Sequence, residues 1–220
     1  MLFMRIKKFT WFYLLLAFSC IAVASTPVTS ETAASSPPTT SILVLGDSLS
    51  AAFGIPQQAG WVALLDKHLQ QQSAKKFHVI NASISGETTA GGLARLPKLL
   101  AEHQPNIIII ELGANDGLRG FPIQRFRSNL QQLVALSQTA KAKILLAGMH
   151  IPPNYGSRYT RMFHDSYRMI ATEYQITLLP FLLENIATHP ELIQRDGLHP
   201  TAEAQPRILQ NVLPYLKKIL

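Results

Sequence analysis

A three-layer α/β/α sandwich around a central parallel sheet of about five strands is the fold this sequence predicts. Two observations carry the prediction. Short, continuously apolar runs alternate with longer amphipathic stretches about five times along the chain. The runs have no polar face, as strands covered on both sides require. Strands that alternate with helices in this way pair in parallel through right-handed crossovers, which place helices on both faces of the sheet.

Each element can be taken in order. SILVL (residues 41–45) reads as the first strand, and WVALLDKHLQQQ (61–72) places apolar residues at helical spacing. FHVINA (77–82) is a second strand. GGLARLPKLLAEH (91–103) is helical, with Pro97 marking a bend or a helix start. NIIIIEL (106–112) is the clearest buried strand, because four consecutive isoleucines leave no exposed face. IQRFRSNLQQLVALSQTA (123–140) is a long amphipathic helix, and KILLAGMH (143–150) is the next strand. RYTRMFHDSYRMIATEY (158–174) is a helix, ITLLPFLL (176–183) contains the last strand, and residues 202–220 close the chain as a helix. No internal repeat and no second domain is evident.

The first 24 residues read as a separate object. Arg5, Lys7 and Lys8 precede an uncharged apolar run over 11–24, and Ala22, Val23 and Ala24 supply small residues at its end. That is the pattern of a secretory signal peptide cleaved after Ala24, and the run is short for a membrane span of about 20 residues. Export to the periplasm or the medium is therefore expected. Residues 25–40 are rich in Ser, Thr, Pro and Ala and read as a flexible linker, leaving 41–220 as one folded domain. Cys20 is the only cysteine and departs with the leader, so the mature chain has no thiol for a disulfide or a metal. Loss of the three leader bases leaves seventeen Lys and Arg against thirteen Asp and Glu. No basic stripe with interleaved aromatics is present, which argues against nucleic acid as a partner. A mildly cationic surface is compatible with contact at an anionic lipid surface.

In a parallel sheet the functional loops lie past the carboxyl ends of the strands. Four loops on that rim carry chemistry-bearing residues: GDSLS (46–50), NASISGETT (81–89), ELGANDGLRGF (111–121) and RDGLHP (195–200). Acyl transfer needs a nucleophile, a base, a group that orients the base, and donors for the oxyanion. Ser48 can attack and His199 can take its proton. Asp196, three residues earlier, can reach the other ring nitrogen if DGLH forms one turn. The backbone N–H groups of Ser48 and Gly86 and the side-chain amide of Asn115 can converge on an oxyanion. Each loop also has a structural reading of its own, since GDS suits a helix cap, ANDG a turn and DGLHP a loop ended by proline. The conjunction favours chemistry, because it supplies every role on one rim. Asp116 is read as a turn cap, Glu111 as a structural hydrogen-bonding group, and His68, His103 and His164 as surface or half-buried. No histidine is spaced from Asp196 and His199 as a metal site requires, so no metal is expected.

The four loops resemble the four blocks of the SGNH hydrolases, also called GDSL esterases and lipases. The similarity extends through ISGETTAGGLARLP, PPNYGSRY and DGLHPTAEAQP, over nearly all of 42–220. The resemblance implies a flavodoxin-like sandwich, with Ser48, Asp196 and His199 as the triad and Ser48, Gly86 and Asn115 as the oxyanion hole. It implies hydrolysis of fatty acyl esters, lysophospholipids, acyl-CoA and aryl esters without a cofactor, and a loop at DGLRGF that closes on acyl chains. Leu118 and Phe121 in that loop, with Pro152 and Tyr155 after the fourth strand, are the expected substrate contacts. Packing against a helix and a rigid turn are their structural alternatives. Ala52 departs from the family, which usually has glycine there. A monomer is expected. Two further readings share parts of the pattern: an acetylesterase acting on cell-envelope sugars, and an acyl-binding protein without turnover.

Overall fold

The computed structural model describes residues 39–72 and 76–220. The leader expected over 1–24, with Cys20, and the linker up to residue 38 lie outside the described residues. Five strands form one sheet: β1 (Thr40–Gly46), β2 (Phe77–Asn81), β3 (Ile107–Glu111), β4 (Lys143–Ala147) and β5 (Thr177–Leu179). Their order is β2-β1-β3-β4-β5 and every pair is parallel. Helices α1 (Trp61–Gln72), α2 (Thr89–His103), α3 (Ala114–Leu118), α4 (Ile123–Thr139), α5 (Ser157–Glu173) and α6 (Gln205–Leu216) cover the sheet. Helix α1 packs against α6, whereas α2 packs against α4 and α4 against α5, giving the two outer layers of the expected sandwich.

The sequence explains why the centre of the sheet is where it is. Ile107, Ile108, Ile109 and Ile110 are at most 1% exposed, as are Ile42, Leu43, Val44 and Leu45 beside them. Each such side chain contributes about 1.5–3 kcal/mol when removed from water. Two boundaries differ from the pattern-based expectation. Helix α2 starts at Thr89, where Thr88 Oγ1 accepts the Gly91 N–H at 3.3 Å, and Pro97 lies exposed within the helix rather than at its start. The segment after Asn115, expected as a loop, begins as the single-turn helix α3.

Register then positions the rim. Gly46 at the end of β1 sits beside Glu111 at the end of β3, so the two loops leave the sheet as neighbours. The third loop joins them, because the Ile84 N–H donates to the Gly46 carbonyl at 3.0 Å beyond the end of β2. In this strand order the direction of winding reverses between β1 and β3, which opens a crevice at their carboxyl ends.

Candidate active site

Strand β1 carries Ser48 to that crevice. The segment after Asp47 turns at once, with the Ala51 N–H on the Asp47 carbonyl at 3.0 Å and the Phe53 N–H on the Ser48 carbonyl at 3.1 Å. Across the crevice, residues 193–200 form a pinned loop. Ile193 and Pro200 make an antiparallel bridge, and the Gln194 N–H donates to the His199 carbonyl at 2.7 Å. Gln194 Nε2 donates to the carbonyls of Phe53 at 2.8 Å and Pro200 at 2.9 Å, stitching this loop to the turn that holds Ser48. Gly197, at φ +73°, allows the reversal inside it.

The three side chains form a continuous chain of hydrogen bonds. Asp196 Oδ2 lies 2.6 Å from His199 Nδ1, and His199 Nε2 lies 2.9 Å from Ser48 Oγ. Asp196 Oδ1 accepts the backbone N–H groups of Leu198 at 2.9 Å and His199 at 3.0 Å. The His199 N–H, with help from that of Leu198, draws the Asp196 carboxyl down to about 2 against the opposing effect of burial. An ionised carboxylate only accepts, so His199 carries its proton on Nδ1 and offers a lone pair from Nε2 to the serine hydroxyl. The ring of Phe53 lies against that imidazole, with centroids 4.4 Å apart.

Asn115 is the second residue of α3, and its amide nitrogen donates to Asp47 Oδ2 at 3.1 Å. Gly86 holds φ +78°, a conformation that glycine adopts without strain. Its carbonyl accepts Arg119 Nη2 at 3.0 Å, which ties the loop after β2 to the end of α3. Beneath these groups, Glu111 is fully buried, and Asp47 N–H and Ser50 Oγ both donate to its Oε2, at 3.2 and 2.7 Å. Burial, followed by the neighbouring Asp47 charge, raises Glu111 well above the usual carboxylate range. Asp116 faces away from the crevice, accepting Thr89 N–H at 2.8 Å and Thr89 Oγ1 at 2.6 Å, and so caps α2.

A cavity of about 400 Å³ opens beside Ser48, Asn115 and His199. It is lined by Leu118, Ile151, Pro152 and Pro153 and, from segments after β5, by Leu183, Ala187, Ile193 and Leu198. Its volume is that of a small-molecule site. Among the described residues, no group of three or more His, Cys, Asp or Glu is placed to hold a metal ion.

Comparison with known proteins identifies the family. Over 179 residues the chain is 48% identical to esterase TesA of Pseudomonas aeruginosa, covering 81% of this chain and 89% of that one. It is 45% identical to thioesterase 1/protease 1/lysophospholipase L1 of Escherichia coli, over 76% and 78% of the two chains. The crystal structure of the psychrotrophic esterase EstA from Pseudoalteromonas sp., inhibited by monoethylphosphonate, superimposes with a TM-score of 0.77 at 48% identity. That match covers 81% of this chain and 97% of EstA. The model of the GDSL-like lipase/acylhydrolase family matches residues 44–206. The chain belongs to that family.

As a GDSL hydrolase, the protein is an enzyme of the carboxylic ester hydrolase class. Of the residues singled out in its sequence, Ser48, Asn115 and His199 line one cavity with Leu118 and Pro152, and Asp196 stands behind His199. Gly86 sits on the adjoining loop. Phe121 and Tyr155 do not line this cavity; they line a neighbouring open groove with Tyr159 and Met162. The Tyr155 hydroxyl donates to the Leu118 carbonyl at 2.8 Å, which ties the groove to the loop that lines the cavity. The sequence reading missed the wall formed by Leu183, Ala187 and Ile193, which comes from segments after β5 whose apolar pattern resembles ordinary core. It also missed Phe53 and Arg119, whose contacts arise only when separate loops meet.

Proposed function

We propose that this GDSL hydrolase is an exported serine esterase and thioesterase that cleaves fatty acyl esters, lysophospholipids and related thioesters through an acyl-enzyme. The observation that carries the reading is the bonded chain from Asp196 through His199 to Ser48. In this mechanism Ser48 Oγ attacks the acyl carbonyl while its proton passes to His199 Nε2. The oxyanion is held by the N–H groups of Ser48 and Gly86 and by the Asn115 amide. His199 returns the proton to the leaving alcohol or thiol, and Asp196 stabilises the imidazolium in between. Water, deprotonated by His199, then releases the acid from Ser48.

The apolar walls of the cavity support a fatty acyl group rather than acetyl, which would leave most of about 400 Å³ unfilled. The names of the relatives, an esterase and a thioesterase with lysophospholipase activity, point the same way. Phe53, Ile84 and Leu198 are 45–48% exposed on loops of the same rim, which supports access to substrate at a lipid surface. Export rests on the basic and apolar leader over 1–24 and its small-residue end at Ala24, followed by the linker over 25–40.

Ser48→Ala is expected to abolish hydrolysis of p-nitrophenyl acyl esters and labelling by a fluorophosphonate while the circular dichroism spectrum stays that of the parent. Full retained activity would overturn the assignment. A series of acyl lengths extended to lysophospholipids reads the substrate class. A sharp optimum at acetyl would favour deacetylation of sugars.

A further inference from the structure

Asp47 stands next to the nucleophile, yet the acyl-transfer scheme gives it no part. It is 1% exposed, and both carboxylate oxygens are engaged. Oδ1 accepts the Leu49 N–H at 3.0 Å and so closes the turn around Ser48. Oδ2 accepts the Asn115 amide nitrogen at 3.1 Å. The residue is itself anchored, because its N–H donates to Glu111 Oε2, the same oxygen that receives the Ser50 hydroxyl.

This arrangement resolves an ambiguity built into asparagine. The two ends of a carboxamide have nearly the same shape, and only one of them donates. A neutral polar neighbour would accept either orientation. A carboxylate has no proton to give, so it accepts only the nitrogen end. With one N–H of Asn115 on Asp47, the second N–H of the same nitrogen is left for an incoming oxyanion. The other oxygen of Asp47 spans Ser48 and fixes the peptide units on either side of it, including the Ser48 N–H. Keeping a charge there is costly, since burial raises the Asp47 carboxyl to about 6 against hydrogen bonds that pull it down. A group needed only to fill space would be cheaper without the charge.

We propose that Asp47 is the positioning residue of the oxyanion hole, with one carboxylate aiming two of its three donors, the Ser48 N–H and the Asn115 amide. The inference rests on the reading of Ser48 as nucleophile and Asn115 as an oxyanion donor. It adds a residue that acts through those two and never touches the substrate's reacting atoms.

The test is Asp47→Asn, which keeps the shape of the side chain. Its oxygen still serves Leu49, but its amide now donates toward Asn115, which must turn its own oxygen to receive it. The oxyanion would then face an acceptor. On a p-nitrophenyl acyl ester, kcat is expected to fall by about 10²–10³-fold, the loss typical of one oxyanion donor, with KM nearly unchanged. Asn115→Ala should cost about the same alone and, added to Asp47→Asn, less than about 3-fold more, because both remove one interaction. Retention of kcat within about 2-fold of the parent, a loss confined to KM, or single losses that multiply would each overturn the proposal. Asp47→Ser is a second variant, since its hydroxyl can close the turn onto Leu49 but is too short to reach Asn115. It should show the same kcat deficit. Failure of both variants to fold would overturn the proposal in favour of a purely structural role. Ser48→Ala separates the two levels: an active variant sinks the nucleophile reading, whereas an inactive one beside a fully active Asp47→Asn sinks only the role of Asp47.

Discussion

Two aspartates flank the proposed reacting centre, and their surroundings drive them in opposite directions. Asp196 lies on an exposed loop, its side chain 39% accessible, and is drawn down to about 2, first by the backbone N–H of His199. Asp47 lies behind Ser48 at 1% exposure, and burial raises it to about 6 despite bonds from Leu49 and Asn115. One carboxylate is held ionised down to about pH 2, which suits the proposed role of facing a transient imidazolium. The other is held near the limit of ionisation, which suits a group that sets geometry. The lesson is that the same residue type, both times within three positions of a proposed catalytic side chain, takes its role from what donates to it and from how much water reaches it.

Removing the Asp196 charge should break this comparison most severely. In Asp196→Asn the amide can donate to His199 Nδ1, which forces the ring proton onto Nε2 and leaves no lone pair for Ser48. A kcat loss of about 10⁴-fold is expected, with the fold intact by circular dichroism, because the loop is held mainly by backbone bonds. A deficit under about 10-fold would mean that the 2.6 Å contact does not set the tautomer.

The second test sharpens the contrast through stability. Below about pH 4, Asp47 is protonated in both folded and unfolded chains. Between about 4 and 6 the folded chain keeps a proton that the unfolded chain has released, so this residue lowers stability as pH rises. The loss is complete above about 6. Asp196 behaves in the opposite sense: its contribution is present above its unfolded value and is lost only as pH falls toward about 2. Urea unfolding of parent and Asp47→Asn at pH 4 and pH 7 reads the difference. The variant should gain stability on the parent between pH 4 and pH 7, through loss of the Asp47 charge and its effect on the buried Glu111 beside it, while its kcat stays low. A pH-independent difference would show that the Asp47 charge is not strained.

Much of this was legible in the letters. The four isoleucines of β3 could only be a doubly covered strand, and its register sets Glu111 beside Gly46, so that the loops carrying Asn115 and Ser48 leave the sheet as neighbours. DGLH reads as one turn because a short acidic side chain followed by glycine closes on the N–H groups ahead of it, as Asp196 does on Leu198 and His199. What stayed hidden depends on contacts between distant segments. Helix α3 spans five residues, too few for a periodicity to emerge, so ANDGL looked like a turn. Phe121 and Tyr155 were apolar or aromatic residues on the correct rim, but they line the adjoining groove, where the Tyr155 hydroxyl is engaged by the Leu118 carbonyl. Asp47 passed for part of a cap, since nothing local reveals that Asn115 and Glu111 arrive at its two sides.

The smallest effect lies three residues past the turn that Asp47 closes onto Leu49. Ala52 holds φ 58°, in the left-handed region where a Cβ costs about 1–2 kcal/mol. It is also the position at which the sequence departs from the glycine expected of its family. Ala52→Gly would relieve that cost, but glycine has more freedom to lose on folding, about 0.5–1 kcal/mol, and the buried methyl contributes about 0.8 kcal/mol. The terms nearly cancel, so stability should change by less than about 1 kcal/mol in urea unfolding, with kcat unaffected. The methyl packs against Gly60, where any added Cβ would come within 2.8 Å of it. A destabilisation above about 1 kcal/mol would therefore assign the alanine to that close approach, and make the strained turn beside Ser48 a consequence of packing against Gly60 ahead of α1 rather than a demand of the site.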